Sequence, residues 1–220
     1  MFESKYSKVI TLILVIVIIA IIGLLGFLGY DYYQKYVITK DTGEFVDNFE
    51  GEFADGEAND NETGNTTEGN ISDQLTNANN NSSNTGKQTY KGFGVLGTMK
   101  IPAINFSYPV LEKVTKSSIE TSVAFLCGPG LNEAGNSVII GHNYRNGLFF
   151  SNNKKLNIGD KIYIRDITGR KLTYNIYDKF EATPEDTSFY QRDTGGVAEV
   201  TLSTCTDDSS ARIIILARAE

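Results

Sequence analysis

Residues Val9 to Tyr30 read VITLILVIVIIAIIGLLGFLGY, 22 residues without a charge. A hydrocarbon core about 30 Å thick takes roughly 20 apolar residues of helix to cross, so this run is long enough to span a bilayer. A core helix of that length would show a polar face, and this one has none. A cleaved signal peptide has an apolar region of about 7–15 residues followed by a small-x-small site. The longer run here, with no such site, reads as an uncleaved signal-anchor within residues 1–40, spanning about residues 9–30. Lys5 and Lys8 precede it and Lys35 and Lys40 follow it, so the positive-inside rule scarcely sets its orientation. Tyr30, Tyr32 and Tyr33 fit an interfacial belt at its C-terminal end.

Charge divides the remaining chain. Residues 41–88 hold eleven Asp and Glu against Lys87, whereas residues 89–220 are close to neutral. The low isoelectric point therefore belongs to the middle segment. No basic stripe marks a nucleic-acid partner. Residues 41–88 are rich in Asn, Gly, Ser and Thr, with only scattered apolar side chains such as Phe45, Phe49, Phe53 and Leu75. Low hydrophobicity with high net charge predicts a disordered linker, because too little apolar surface is available to offset the ordering entropy.

From residue 89 the pattern changes to short apolar runs cut by Gly, Asn, Asp and Pro. Strands are predicted at Phe93–Ile101, Tyr108–Leu111, Ser137–Ile140, Lys161–Arg165, Lys171–Tyr177, Val197–Cys205 and Arg212–Ala219, with a short helix at Ser117–Val123. Seven or so short strands in about 130 residues make a mainly β domain, a barrel or a sandwich.

The last two strands form a hairpin about TDDSSA. Symmetric pairing sets Cys205 opposite Arg212 and Glu199 opposite Arg218. Arg218 then has a carboxylate partner and reads as a surface ion pair of about 0–1 kcal/mol. Arg212 faces a thiol instead. A guanidinium there favours the thiolate, or an oxyanion formed when that thiolate attacks a carbonyl. Asp207 and Asp208, in the turn, are the competing partners for Arg212. His142, in SVIIGHNYRNG, is the chain's single His. Any Cys/His mechanism must use it, although a lone His is more often structural. Cys127, in AFLCGPG, reads as a packed thiol, and a Cys127–Cys205 disulfide is the structural alternative for both cysteines.

TLSTC followed closely by Arg and an apolar strand, with IIGH upstream and GVLGTMKIPAINFSYPVL opening the domain, resembles the sortases, membrane-anchored cysteine transpeptidases of Gram-positive bacteria. The resemblance covers roughly residues 92–220 and is closest to class B-like or class D-like enzymes. It implies an eight-stranded β-barrel over 89–220. It implies Cys205 as nucleophile, His142 as general acid/base, Arg212 as oxyanion stabiliser and Thr204 as a secondary substrate contact. It also implies exported proteins bearing a sorting signal as substrates, a cell-wall or pilin amine as acceptor, and an extracytoplasmic domain on a single-pass anchor. No cofactor is implied. The calcium site of some members finds no clear acidic cluster here. The loop from Cys205 to Arg212 has only six residues, and no Asp-Pro-aromatic lid motif precedes the barrel. Two rivals stand beside this reading. One is a papain-like exported hydrolase, disfavoured because His142 precedes Cys205 in the chain. The other is a non-catalytic β domain displayed for binding, which gives no reason for a thiol facing an Arg.

Overall fold

The computed structural model describes residues 3–57 and 88–220. The first element, α1, is a helix over Glu3–Glu57. Its apolar residues from Val9 to Tyr30 are exposed wherever a large side chain occurs. Among the described residues it is the one helix long and apolar enough to cross a membrane. The chain divides into two units, one ending at Thr42 and one comprising Gly43–Glu220.

Among the described residues the second unit contains nine strands: β1 (Thr89–Tyr90), β2 (Phe93–Ile101), β3 (Phe106–Leu111), β4 (Val123–Cys127), β5 (Gly135–Ile140), β6 (Lys161–Asp166), β7 (Lys171–Ala182), β8 (Ala198–Cys205) and β9 (Arg212–Ala219). They hydrogen-bond in the order β1-β2-β3-β4-β5-β8-β9-β7-β6, and β6 returns to pair with β2. That last pairing closes β2 to β9 into an eight-stranded barrel, with the two-residue β1 on the margin of β2. Closure gives every barrel strand a neighbour on each side, although β3 and β4 pair over only two residues. Met99, Ile101, Val110, Ile139, Leu202 and Ile215 are fully buried within it.

All seven predicted strands are present; β1 is additional, β3 and β5 begin two residues earlier than expected, and three further differences are larger. The predicted helix at Ser117–Val123 is α2 (Lys116–Thr121), started by a Thr115 capping box with Ser118. Val123 opens β4 instead, a strand that short apolar runs do not distinguish from a helix end. The third difference is that β7 continues to Ala182 rather than stopping at Tyr177. A bulge between Ile176 and Asp178 shifts the alternation by one residue, which is why the period-2 pattern breaks there.

The acidic segment expected to be unstructured from residue 41 is helical as far as Glu57. Composition averaged over 48 residues concealed a local stripe. Phe45, Phe49 and Phe53 recur every four residues and so share one helix face. Phe49 is buried against Tyr90, Val95, Leu111 and Ala124, with Phe45 and Phe53 packed beside it. The Phe45 and Tyr90 rings meet edge-on at 5.0 Å. Acids on the same segment meet charges of the barrel: Glu50 lies 3.6 Å from both Arg165 and Lys171, and Asp47 lies 3.4 Å from Lys100. The rest of the predicted linker, residues 58–87, lies outside the described residues.

Phe49→Ala should therefore destabilise the second unit by about 3 kcal/mol, the cost of deleting a buried aromatic ring. Urea unfolding of the detergent-solubilised chain, followed through the β signal, measures this. A disordered segment at residues 41–57 would leave the midpoint unchanged.

Candidate active site

Strand β8 lies between two different neighbours. On one side it pairs in parallel with β5, in a register that ends at Ile140 opposite Ser203. On the other it pairs antiparallel with β9, with Cys205 opposite Arg212 and Glu199 opposite Arg218. The hairpin register expected from the sequence is the one observed. The β5 pairing persists a step further, because Gly141 N–H donates to Ser203 O (3.3 Å) and Thr204 Oγ1 donates to Gly141 O (2.7 Å). The next residues are His142 and Cys205. Cys205 and Arg212 thus stand in one row, and the β5–β8 register carried one residue past Gly141 would set His142 level with the thiol on its other side.

Alternation along β8 fixes which side of the barrel this row occupies. Val200, Leu202 and Thr204 belong to the inward face, and Glu199, Thr201, Ser203 and Cys205 to the outward one. The outward face is not bare. Phe189, from the connection between β7 and β8, packs on Ala182, Ile214 and Leu216, with Phe180 and Tyr190 at its margin. Cys205, Arg212 and Ala182 are paired neighbours across three strands at the end of this covered strip.

Arg212 Nη1 donates to Cys205 Sγ at 3.2 Å, and also reaches Ala211 O at 3.4 Å. The competing aspartates are engaged elsewhere. Asp207 pairs with Lys154 at 2.5 Å, and Asp208 accepts from Thr206 (2.6 Å) and Ser210 (2.8 Å). Hydrogen bonds from Lys154 and then Asn143 hold the Asp207 carboxyl below the usual range, and those from Thr206 and then Ser210 hold Asp208 at about 2. Both cysteines are free thiols, so the disulfide alternative is absent. Burial raises the pKa of Cys127, which favours its neutral thiol form. The His142 ring packs on Tyr144, centroids 4.9 Å apart. Thr204 is buried, with its hydroxyl committed to Gly141.

Glu199 differs from the sequence expectation. It is 2% exposed, so its contact with Arg218 (2.7 Å) is not a surface pair. Arg192 also reaches it (2.5 Å), as does the Tyr177 hydroxyl (2.9 Å). Arg192 further donates to Thr201 (2.8 Å) and to Phe189 O (2.9 Å), and Asn136 donates to Tyr190 O (2.9 Å). This network fastens the β7–β8 connection over the outward face. It was not visible in the sequence, because Arg192 lies in a polar loop without periodicity.

Among the described residues no group of three or more His, Cys, Asp or Glu side chains is placed to hold a metal ion.

Residues 99–220 match the Sortase domain family, which is more than half of the chain. The chain belongs to the sortase family. It is 30% identical over 124 residues to sortase A of Bacillus anthracis, covering 55% of this chain and 58% of that protein. The chain thus spans less than two thirds of that relative's length. Among solved structures, sortase A of Corynebacterium diphtheriae aligns with a TM-score of 0.53 at 27% identity, covering 58% of this chain and 61% of the other. A Clostridium perfringens sortase D5 transpeptidase aligns with the same score and identity, over 58% of this chain and 79% of the other. Streptococcus agalactiae sortase C1 aligns at 0.52 and 26%, over 57% and 69%. Sortases of several classes are thus equally similar, and the class B-like or D-like assignment is not resolved among them.

The buried carboxylate supplies a prediction about pH. Burial raises the pKa of Glu199, but the hydrogen bonds from Tyr177, Arg192 and Arg218 outweigh it and leave the group below its ordinary value. A depressed carboxylate contributes stability that is present above its unfolded pKa, about 4.3, and is lost as pH falls through the lower folded value. Urea midpoints measured from pH 7 down to pH 3 should fall more steeply below about pH 4.3 in the wild-type protein than in Glu199→Gln. Parallel curves would show that Glu199 is not the group responsible.

Proposed function

We propose that this sortase is a membrane-anchored cysteine transpeptidase acting on exported proteins that carry a sorting signal. The observation that carries the reading is the 3.2 Å contact from the Arg212 guanidinium to the Cys205 sulfur. No carboxylate intervenes in it, since Asp207 and Asp208 are held by other groups. A cation so placed favours the thiolate and then the oxyanion of a tetrahedral intermediate.

In this mechanism the Cys205 thiolate attacks the carbonyl carbon of a substrate peptide bond. Arg212 stabilises the negative charge that develops on the carbonyl oxygen. His142 donates a proton to the departing amine as the C–N bond breaks, which leaves a thioester on Cys205. An acceptor amine then attacks the thioester, His142 takes its proton, and the thiolate is released. Dividing the transfer into two steps conserves the acyl group's activation until the second amine arrives. The acceptor is a cell-wall or pilin amine. For Thr204 the proposal narrows: with its hydroxyl on Gly141, it holds β8 against the His142 segment rather than touching substrate.

The run from Val9 to Tyr30 anchors the chain in the cell membrane as a single pass, with the barrel on the extracytoplasmic side where exported substrates emerge. Confinement of enzyme and substrate to one surface raises their effective concentration.

Mass spectrometry of the chain after incubation with a library of sorting-signal peptides tests this directly. The expected result is a covalent adduct on Cys205 that an added amine discharges, and none in Cys205→Ala. Absence of any adduct on a folded protein with free Cys205 would favour a non-catalytic binding domain. A thioester discharged only by water would favour a hydrolase. In the same assay Arg212→Ala should lower kcat by about 10²–10³, the usual loss for one oxyanion donor. Arg218→Ala should lower stability instead, because its partner is the buried Glu199. Equal losses of turnover would remove the distinction between the two arginines.

A further inference from the structure

Sheet pairing holds the His142 and Cys205 segments together only as far as Gly141 and Ser203. Beyond those residues a side chain takes over. Asn143 Nδ2 donates to the backbone carbonyl of Cys205 (2.9 Å) and to Asp207 Oδ1 (3.0 Å). Its own Oδ1 accepts from the backbone N–H of Arg145 (3.0 Å). Both donors and the acceptor of this amide are therefore engaged, which restricts it to one orientation. Asp207 is held in turn by Lys154 (2.5 Å). Arg145 reaches across to Ser209 Oγ (3.2 Å), a second link between the same loop and the same turn. The far end of the His142 loop is fixed by Phe150 N–H on His142 O (3.1 Å) and by buried Phe149 and Phe150.

We propose that Asn143 and Asp207 are positioning residues that clasp the loop carrying His142 to the turn that follows Cys205, setting the distance between imidazole and sulfur. The proposal rests on the reading of His142 and Cys205 as partners in one reaction. Asn143 is adjacent to His142 in the chain, and the carbonyl it grips belongs to Cys205 itself, so a shift in this bond moves one reacting group against the other. The amide replaces the ladder bond that the parallel pairing stops supplying. Lys154 is subordinate, because an exposed ion pair by itself contributes little. Displacement of a reacting group by about 1 Å can cost on the order of 100-fold in rate.

Asn143→Asp is the decisive substitution. It preserves shape, removes both donors and sets a second carboxylate against Asp207. In the full chain, with the peptide that loads Cys205 fastest, it should lower kcat by about 100-fold and leave KM within about threefold. Asn143→Ala should lose rate without the added repulsion. Asp207→Asn keeps an oxygen for Asn143 and should retain most of the rate that Asp207→Ala loses. Alkylation of Cys205 by iodoacetamide, read alongside, should slow several-fold in Asn143→Asp, since nucleophilicity depends on a placed base or cation. Unchanged kcat and alkylation in Asn143→Asp would overturn the proposal. So would a loss of rate that matches a loss of folded protein in the urea midpoint. If the wild-type chain loads no peptide, the transpeptidase reading fails, and the alkylation comparison alone decides the clasp: slower reaction in Asn143→Asp supports it, and equal rates overturn it.

Discussion

Strand β8 is held from both sides by unlike pairings, and the chemistry at its end depends on that. A parallel neighbour presents a residue from the end of its own strand at the same rim, because the two strands run in one direction. An antiparallel neighbour presents a residue from its beginning. His142 therefore follows β5 and Arg212 opens β9, so both belong to the rim at which β8 ends in Cys205. Cys205 and Arg212 share one hairpin, whereas the segment carrying His142 lies some sixty residues upstream and comes to β8 only because the strand order is β5-β8-β9. Barrel closure then stiffens the arrangement, since no strand in the ring is free to slip at an edge.

The outward position of this row has a cost that the fold meets elsewhere. A wall strand with polar residues facing out would normally be solvated, yet Glu199, Thr201 and Ser203 are all buried. The β7–β8 connection covers the outward ones. Phe189 supplies the apolar cover, Arg192 donates to Glu199 and Thr201 beneath it, and Asn136 accepts from Thr201. Burying a carboxylate without partners would cost several kcal/mol. Two guanidiniums and a phenol hydroxyl make Glu199 tolerable there, and they make the loop a fixed part of the wall next to the thiol.

A similar economy operates at the other end of the unit. The residues after the apolar run of α1 fold onto the barrel through three phenylalanines spaced four apart. Acidic charge that suggested disorder instead meets Lys100, Arg165 and Lys171. Sequence averages fail in such a place because a helix needs only one apolar stripe to dock. That stripe is three residues among many polar ones.

What the sequence determined by itself was the part governed by local periodicity and symmetry. The uncharged run at residues 9–30 carries its length and apolarity in plain view. The hairpin of the last two strands has a short polar turn, so its register, and with it the Cys205–Arg212 and Glu199–Arg218 pairs, follows from counting outward. The likeness to the sortases rests on that same motif together with IIGH and GVLGTMKIPAINFSYPVL upstream. Only the tertiary structure decided the contacts made between segments distant in the chain. That His142 follows the strand in parallel register with β8, that Glu199 is buried, and that Asn143 grips the carbonyl of Cys205 all depend on which strands lie side by side. Pairing partners are chosen by the packing of the whole barrel, and no local pattern in a polar loop such as HNYRNG or TDDSSA encodes them.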